Sequence, residues 1–292
     1  MSHFTLAVFC NHPDEVDGLL APYDENIIVD RYVCLTKEEI IMDGRKKHEN
    51  YIKSIQEKLK IPKDNHTYLK SKTTEEIQAQ LNKEPSDEEI YAKEITYFEP
   101  DEIDESGNIC STYNPLAKWD WHAIGGRWLG SLLVAEGKPS LEGVSGAFDN
   151  KPPDKIKKYK WADGAKVKDV EWDKMKQMNL NQIKDSEKRG CNMWDILTND
   201  SYPNRMKYTW DNAEHFIQKY GDYETYLRLS TEWVSFAVLN GNGWHEKGEM
   251  GWFGCSSETP DESRNFEESY FENFIAPEMN TEKWIVVVDC HM

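Results

Sequence analysis

FTLAVF at Phe4–Phe9 and WIVVV at Trp284–Val288, the latter continued by Asp289, are the longest apolar runs in the chain, and they lie near its two ends. Each has the length of a strand. A continuous apolar run of this length reads as a strand. Two short, distant segments are seldom this hydrophobic unless they pair, so they are expected to be neighbours in one sheet. Working inward, Asn11-His12-Pro13-Asp14 breaks the first strand and Ile27–Leu35 reads as a second. Thr36 then looks like an N-cap, with Glu38 and Glu39 in the first turn, where the helix dipole favours anions. The helix it opens is expected to run to about Lys60, weakened in the middle by Gly44. Ser86 with Glu89 predicts a capping box.

Further on, Lys151–Lys168 reads as an exposed connector or a hairpin around Asp163-Gly164. Helices are expected near Trp172–Lys188 and over Thr209–Tyr220, the latter capped by Thr209 or Asp211. Thr231–Leu239 reads as a strand, and Pro260 opens a helix to about Ile275. No fixed-period repeat is present. The order of elements predicts an α+β fold. Its central, mainly antiparallel sheet contains both terminal strands and carries large helical insertions. Residues 1–35, 106–150 and 229–292 are expected to form the core, with an acidic helical insertion over 36–105 and a second helical insertion over 151–228.

The net charge of −18 over 292 residues argues against broad affinity for nucleic acid or an anionic membrane, whose phosphates would repel the chain. A solvated surface accounts for this charge, and so does a face turned toward a basic, DNA-binding partner. From Glu84 to Glu105, ten acids face one base, Lys93. No apolar stretch reaches the roughly 18 residues of a membrane span, and no basic n-region with a cleavage site opens the chain. The six cysteines form no CxxC pair, so reduced, mostly buried thiols in a cytosolic protein are expected.

Lys118-Trp119-Asp120-Trp121-His122-Ala123-Ile124-Gly125-Gly126-Arg127-Trp128 is the densest motif. Adjacent glycines permit close backbone approach, Arg127 suits stacking or a carboxylate fork, and Asp120 with His122 suits an acid/base pair. The structural reading is that Trp119 and Trp121 fill a core and Arg127 pairs with a carboxylate. The loop from Gly241 to Cys255 is the second candidate, with Trp244, Trp252 and Phe253 as interface-type anchors. Its His245-Glu246 is not HExxH, because Glu249 stands where the second histidine would be. Asp289-Cys290-His291 would need further metal ligands, such as His122, His245 or Cys255, and no spacing brings these together. A final strand with alternating side chains accounts for it. No nucleotide loop or hydrolase motif is present. The residues therefore predict no catalytic set, no metal and no cofactor. The interaction candidates are Trp119, Trp121, Arg127, Trp128, Trp244, Trp252 and Phe253.

Three stretches together carry a family resemblance: LAPYDEN (Leu20–Asn26), NPLAKWDWHAIGGRW (Asn114–Trp128) and the closing WIVVVDCHM. They resemble a group of phage-encoded proteins with a KWDWxxIGGRW block and a final VVDCH strand. Within that group, length and acidity most resemble the phage anti-defence proteins that block the bacterial Gabija system. The resemblance implies a homo-oligomeric inhibitor in the cytoplasm of the infected host. It would bind and occlude the Gabija nuclease complex and so block DNA binding and cleavage, without touching nucleic acid or membrane itself. The alternatives are a small-ligand or enzymatic phage protein with a site at Trp119, Asp120, His122 and Arg127, or a structural or regulatory phage protein.

Overall fold

The computed structural model describes residues 2–58, 74–145, 160–199 and 213–292. The part of the lysine-rich segment before Lys160 and the caps expected at Thr209 or Asp211 lie outside the described residues. The chain divides into two compact units, one formed by Met1–Ile27 with Pro115–Met292 and the other by Ile28–Asn114.

The first unit is built on β1 (His3–Cys10) and β12 (Trp284–His291), which pair antiparallel from His3 opposite His291 to Cys10 opposite Trp284. β10 (Ala237–Asn240) runs parallel to β1 on its other edge and continues through a tight turn into β11 (Gly243–Glu246). The far edge of β12 is shared. β4 (Trp121–Gly126) pairs with Val288–His291 and extends to β7 (Val144–Ser145), while β9 (Gly164–Lys166) pairs with Trp284–Val286 and extends to β6 (Ser140–Leu141). The result is an eight-stranded, mainly antiparallel α+β sheet that contains both terminal strands.

Alternation explains why the two long strands are apolar at nearly every position. Phe4, Leu6, Val8, Val286, Val288 and Cys290 pack with Val16, Leu20, Trp119 and Phe236 on one face. Ala7, Phe9, Ile285 and Val287 face the other way, against Met175 of the Trp172–Lys188 helix and Tyr270 of the Pro260–Tyr270 helix. Thr259 caps the latter helix through a capping box with Glu262, and its last turn widens into π geometry at Phe271–Ile275.

Three local expectations are corrected. Asp163-Gly164 is not a hairpin turn. β8 (Lys160–Ala162) leaves Asp163 to pair with β5 (Leu132–Val134), while β9 joins the central sheet. The strand expected at Thr231–Leu239 begins only at Ala237: a helix over Tyr223–Thr231, capped by Asp222, takes Thr231, and residues 232–236 are irregular. Of the six free cysteines, Cys10, Cys110 and Cys290 are buried, Cys34 and Cys255 are exposed, and Cys191 is intermediate.

The second unit holds the strand β2 (Ile28–Leu35) paired antiparallel with β3 (Ile109–Tyr113), and helices over Lys37–Lys58, Thr74–Leu81 and Asp87–Glu94. Thr36 and Glu39 form the expected cap, as do Ser86 and Glu89. Thus β2 and residues 106–114 lie in the unit formed by 28–114, not with the central sheet as expected. Gly44 marks a close helix crossing, since a Cβ there would run into Ile90. The buried carboxylate of Glu94 meets Lys47 at 2.9 Å across it.

Candidate functional site

β4 and its flanks divide the aromatic motif between core and surface. Trp119, just before the strand, is 7% exposed. Its indole Nε1 donates to the Leu20 carbonyl at 3.2 Å, and its ring packs into the cluster of Leu6, Val8 and Leu20. Trp121 lies opposite His291 and is 46% exposed, so the expectation that it fills a core is corrected. Trp119 precedes the strand and turns into the apolar cluster, while Trp121, the first residue of β4, stays at the surface. Trp128 is partly buried against the other apolar cluster.

The two glycines are fitted to buried carboxylates. Gly125 has φ +80°, and a Cβ there would stand 2.9 Å from Cγ of Asp163. Gly126 has φ +53°, and a Cβ would stand 2.8 Å from Cγ of Asp289. Both conformations lie in the left-handed region that favours glycine. Asp163 accepts backbone N–H bonds from Gly130 at 2.6 Å and Gly143 at 2.8 Å, and Ser131 adds a third. Burial raises its carboxyl above the usual range despite these donors. Asp289 accepts the Arg127 backbone N–H at 2.9 Å through Oδ2 and meets His3 Nδ1 at 2.8 Å through Oδ1. Buried carboxylates satisfied this way pin the backbone turns around them. Asp163 does so where the edge of β12 passes from β9 to β4, and its own carbonyl accepts from Val287 N at 2.7 Å.

Asp120 and His122 do not form the acid/base pair that their spacing suggested. Asp120 Oδ1 lies 2.5 Å from His291 Nδ1. His122 Nε2 lies 3.1 Å from Asp17, with its ring edge-on to Trp119 at 4.6 Å. The Arg127 side chain is exposed. The closing Asp289-Cys290-His291 is split by alternation. Cys290 is buried opposite His122, with its thiol pushed well up by burial. Asp289 and His291 face the other side, where His3 lies directly opposite His291. His3 was absent from the sequence reasoning, because nothing local ties residue 3 to residue 291.

The second candidate loop is a β-hairpin followed by a tight turn. Trp244 is partly buried against Tyr23 at 5.0 Å and bonds Glu246 at 2.7 Å, a carboxylate that also meets Lys118 at 2.6 Å. His245 bonds Asn240 at 3.2 Å and lies on Phe274 at 5.3 Å. The Trp252 side chain lies outside the described residues. Phe253 is 84% exposed with φ +61°, the one non-glycine among the described residues in the left-handed region. Its turn is tied to Ser2, whose hydroxyl donates to the Gly251 carbonyl and accepts from Gly254 N at 2.8 Å.

Two exposed aromatics therefore stand at one end of the sheet. Trp121 lies edge-on to His3 at 6.2 Å, and the Phe253 turn is bonded to Ser2, the neighbouring residue. Among the described residues no group of three or more His, Cys, Asp or Glu is arranged to hold a metal. No described helix is long and apolar enough to cross a membrane. No family model matches the chain, and neither a curated protein nor a solved structure does.

Proposed function

We propose that this chain acts by binding a macromolecular partner in fixed proportion. On the resemblance, the partner is the Gabija nuclease complex and the chain a phage anti-defence protein. It works as a homo-oligomer in the infected cell, covering the surface through which the complex engages DNA. One observation carries the binding reading: Trp121 and Phe253, side chains of interface type, are presented to solvent on consecutive anchors at the start of β1. A left-handed backbone at a bulky residue costs on the order of 1–3 kcal/mol, and the Ser2 hydrogen bonds hold the turn against that cost. Aromatic residues dominate binding energy where they insert into a partner. The net charge of −18 suits a partner whose free surface is basic. The residues of the alternative small-ligand site give that reading less support, since Trp119 is core while Asp120 and His122 have separate partners.

The test is a titration of purified protein against a fixed amount of nuclease complex. Occlusion predicts a break at a fixed molar ratio that longer incubation leaves in place. Loss of nuclease activity at trace protein would point to turnover and sink the proposal. Trp121→Ala and Phe253→Ala should keep wild-type unfolding within about 0.5 kcal/mol while shifting or abolishing the break. Trp119→Ala should lower stability by about 3–5 kcal/mol, the scale of losing a buried large aromatic, as read by urea denaturation.

A further inference from the structure

His3 and His291 are directly opposed on antiparallel strands, a relation that sets Cβ atoms about 4.5–5.5 Å apart. Their ring centroids are 4.8 Å apart. Each Nδ1 is already committed to a carboxylate: His3 to Asp289 at 2.8 Å and His291 to Asp120 at 2.5 Å. An ionised carboxylate can only accept, so each Nδ1 is the donor, and in the neutral imidazole form the lone pair then sits on Nε2. Neither Nε2 has a hydrogen-bond partner among the described residues. The side chains are 14% and 13% exposed, which leaves them open to an ion from solvent.

Two neighbouring imidazole rings, inclined at 76° to each other and each with a carboxylate on Nδ1, present an environment for a cation. We infer that His3 and His291 form a two-donor site for a divalent transition-metal ion of the Zn²⁺ class. The spacing agrees. With metal–nitrogen bonds of about 2.0–2.1 Å, each ring centre stands roughly 3.2 Å from the ion, and two rings at a tetrahedral angle lie about 5 Å apart. Imidazole donors favour Zn²⁺, Ni²⁺ and Cu²⁺ over Ca²⁺ and Mg²⁺, which take oxygen. The carboxylate on each Nδ1 is the outer-shell arrangement that fixes a ligating histidine. No third His, Cys, Asp or Glu among the described residues joins the pair. The remaining coordination positions therefore fall to water or to a donor brought by a bound molecule. This site does not depend on the binding reading above.

Calorimetric titration of the full, tag-free chain with Zn²⁺ should show one saturable site per chain. His3→Gln and His291→Gln should each weaken it at least tenfold, and the double variant should abolish it. Asp120→Asn keeps both donors and should cost about 10–100-fold through lost orientation. Because these changes also break contacts at the sheet end, a second measurement uses the unaltered protein. Substoichiometric Cu²⁺ should broaden the His3 and His291 imidazole resonances ahead of the other histidines. The assignment is overturned by no saturable Zn²⁺ binding, by binding retained in a folded double variant, or by broadening spread evenly over the imidazoles.

Discussion

At Gly126 a single hydrogen atom stands where any other residue would push a carbon against the Asp289 carboxylate. Gly126→Ala combines that clash with a left-handed backbone, and each alone costs on the order of 1–3 kcal/mol. A loss of about 2–4 kcal/mol in urea denaturation is expected, against the usual near-neutrality of Gly→Ala at a surface strand. Asp163, the other carboxylate beside the glycine pair, supplies a pH prediction. Burial is the largest influence on it and raises its folded pKa above the ordinary 3.8. A raised folded pKa means that the folded state holds the proton more tightly. Its contribution to stability is thus fully present below the ordinary value and is lost as pH rises through the folded one. Site-resolved carbonyl ¹³C titration should place the Asp163 midpoint above 3.8, and a midpoint below it would refute the burial argument. The glycine pair was legible as a close approach, but its partners were not. Asp163 and Asp289 lie far along the chain, and an acid in a chain with 53 of them announces nothing by itself.

Among the elements, those set by local chemistry were the ones readable in advance. The Trp172–Lys188 helix, the caps at Thr36 and Ser86, and both long strands follow from periodicity and capping residues close in sequence. Asp163-Gly164 misled because its residue types are those of a turn, while the strands on either side of it belong to different sheets. The strand expected from Thr231 is shorter than its apolar run, because Asp222 caps a helix that ends on Thr231 and an irregular connection over 232–236 follows it. Gly44 shows tertiary packing overriding propensity. In an isolated helix, Gly44→Ala would gain up to about 1 kcal/mol. Here the added methyl would collide with Ile90, and overpacking costs about 1–3 kcal/mol. A net loss of stability, read as a lowered urea midpoint for unfolding of the Ile28–Asn114 unit, is expected. A gain would show that the crossing relaxes freely.

For the molecule as a whole, residues 28–114 form an excursion whose exit and return are stitched together. Lys118 N donates to the Tyr23 carbonyl at 2.8 Å and Glu25 N to the Trp119 carbonyl at 2.9 Å, so the two chain crossings lie side by side. All eight strands of the central sheet come from outside the excursion. Joining Ile27 to Pro115 through a short glycine-serine linker should therefore leave a unit that unfolds cooperatively, with near-ultraviolet dichroism from Trp119 and Trp244 retained. Loss of that signal would show that the sheet needs the excursion. The position of β12 has a consequence for biosynthesis. It pairs with β1, β4 and β9, yet it follows every other strand in chain order. On a ribosome, β1 and β4 emerge long before the strand that separates them. Both must wait with apolar edges open until residues 284–291 leave the exit tunnel. Closure across more than two hundred residues is slow, and the waiting chain is exposed to aggregation and to chaperone capture. Translation stalled a few residues short should leave the first unit without its sheet, while the excursion, complete much earlier, is already free to fold.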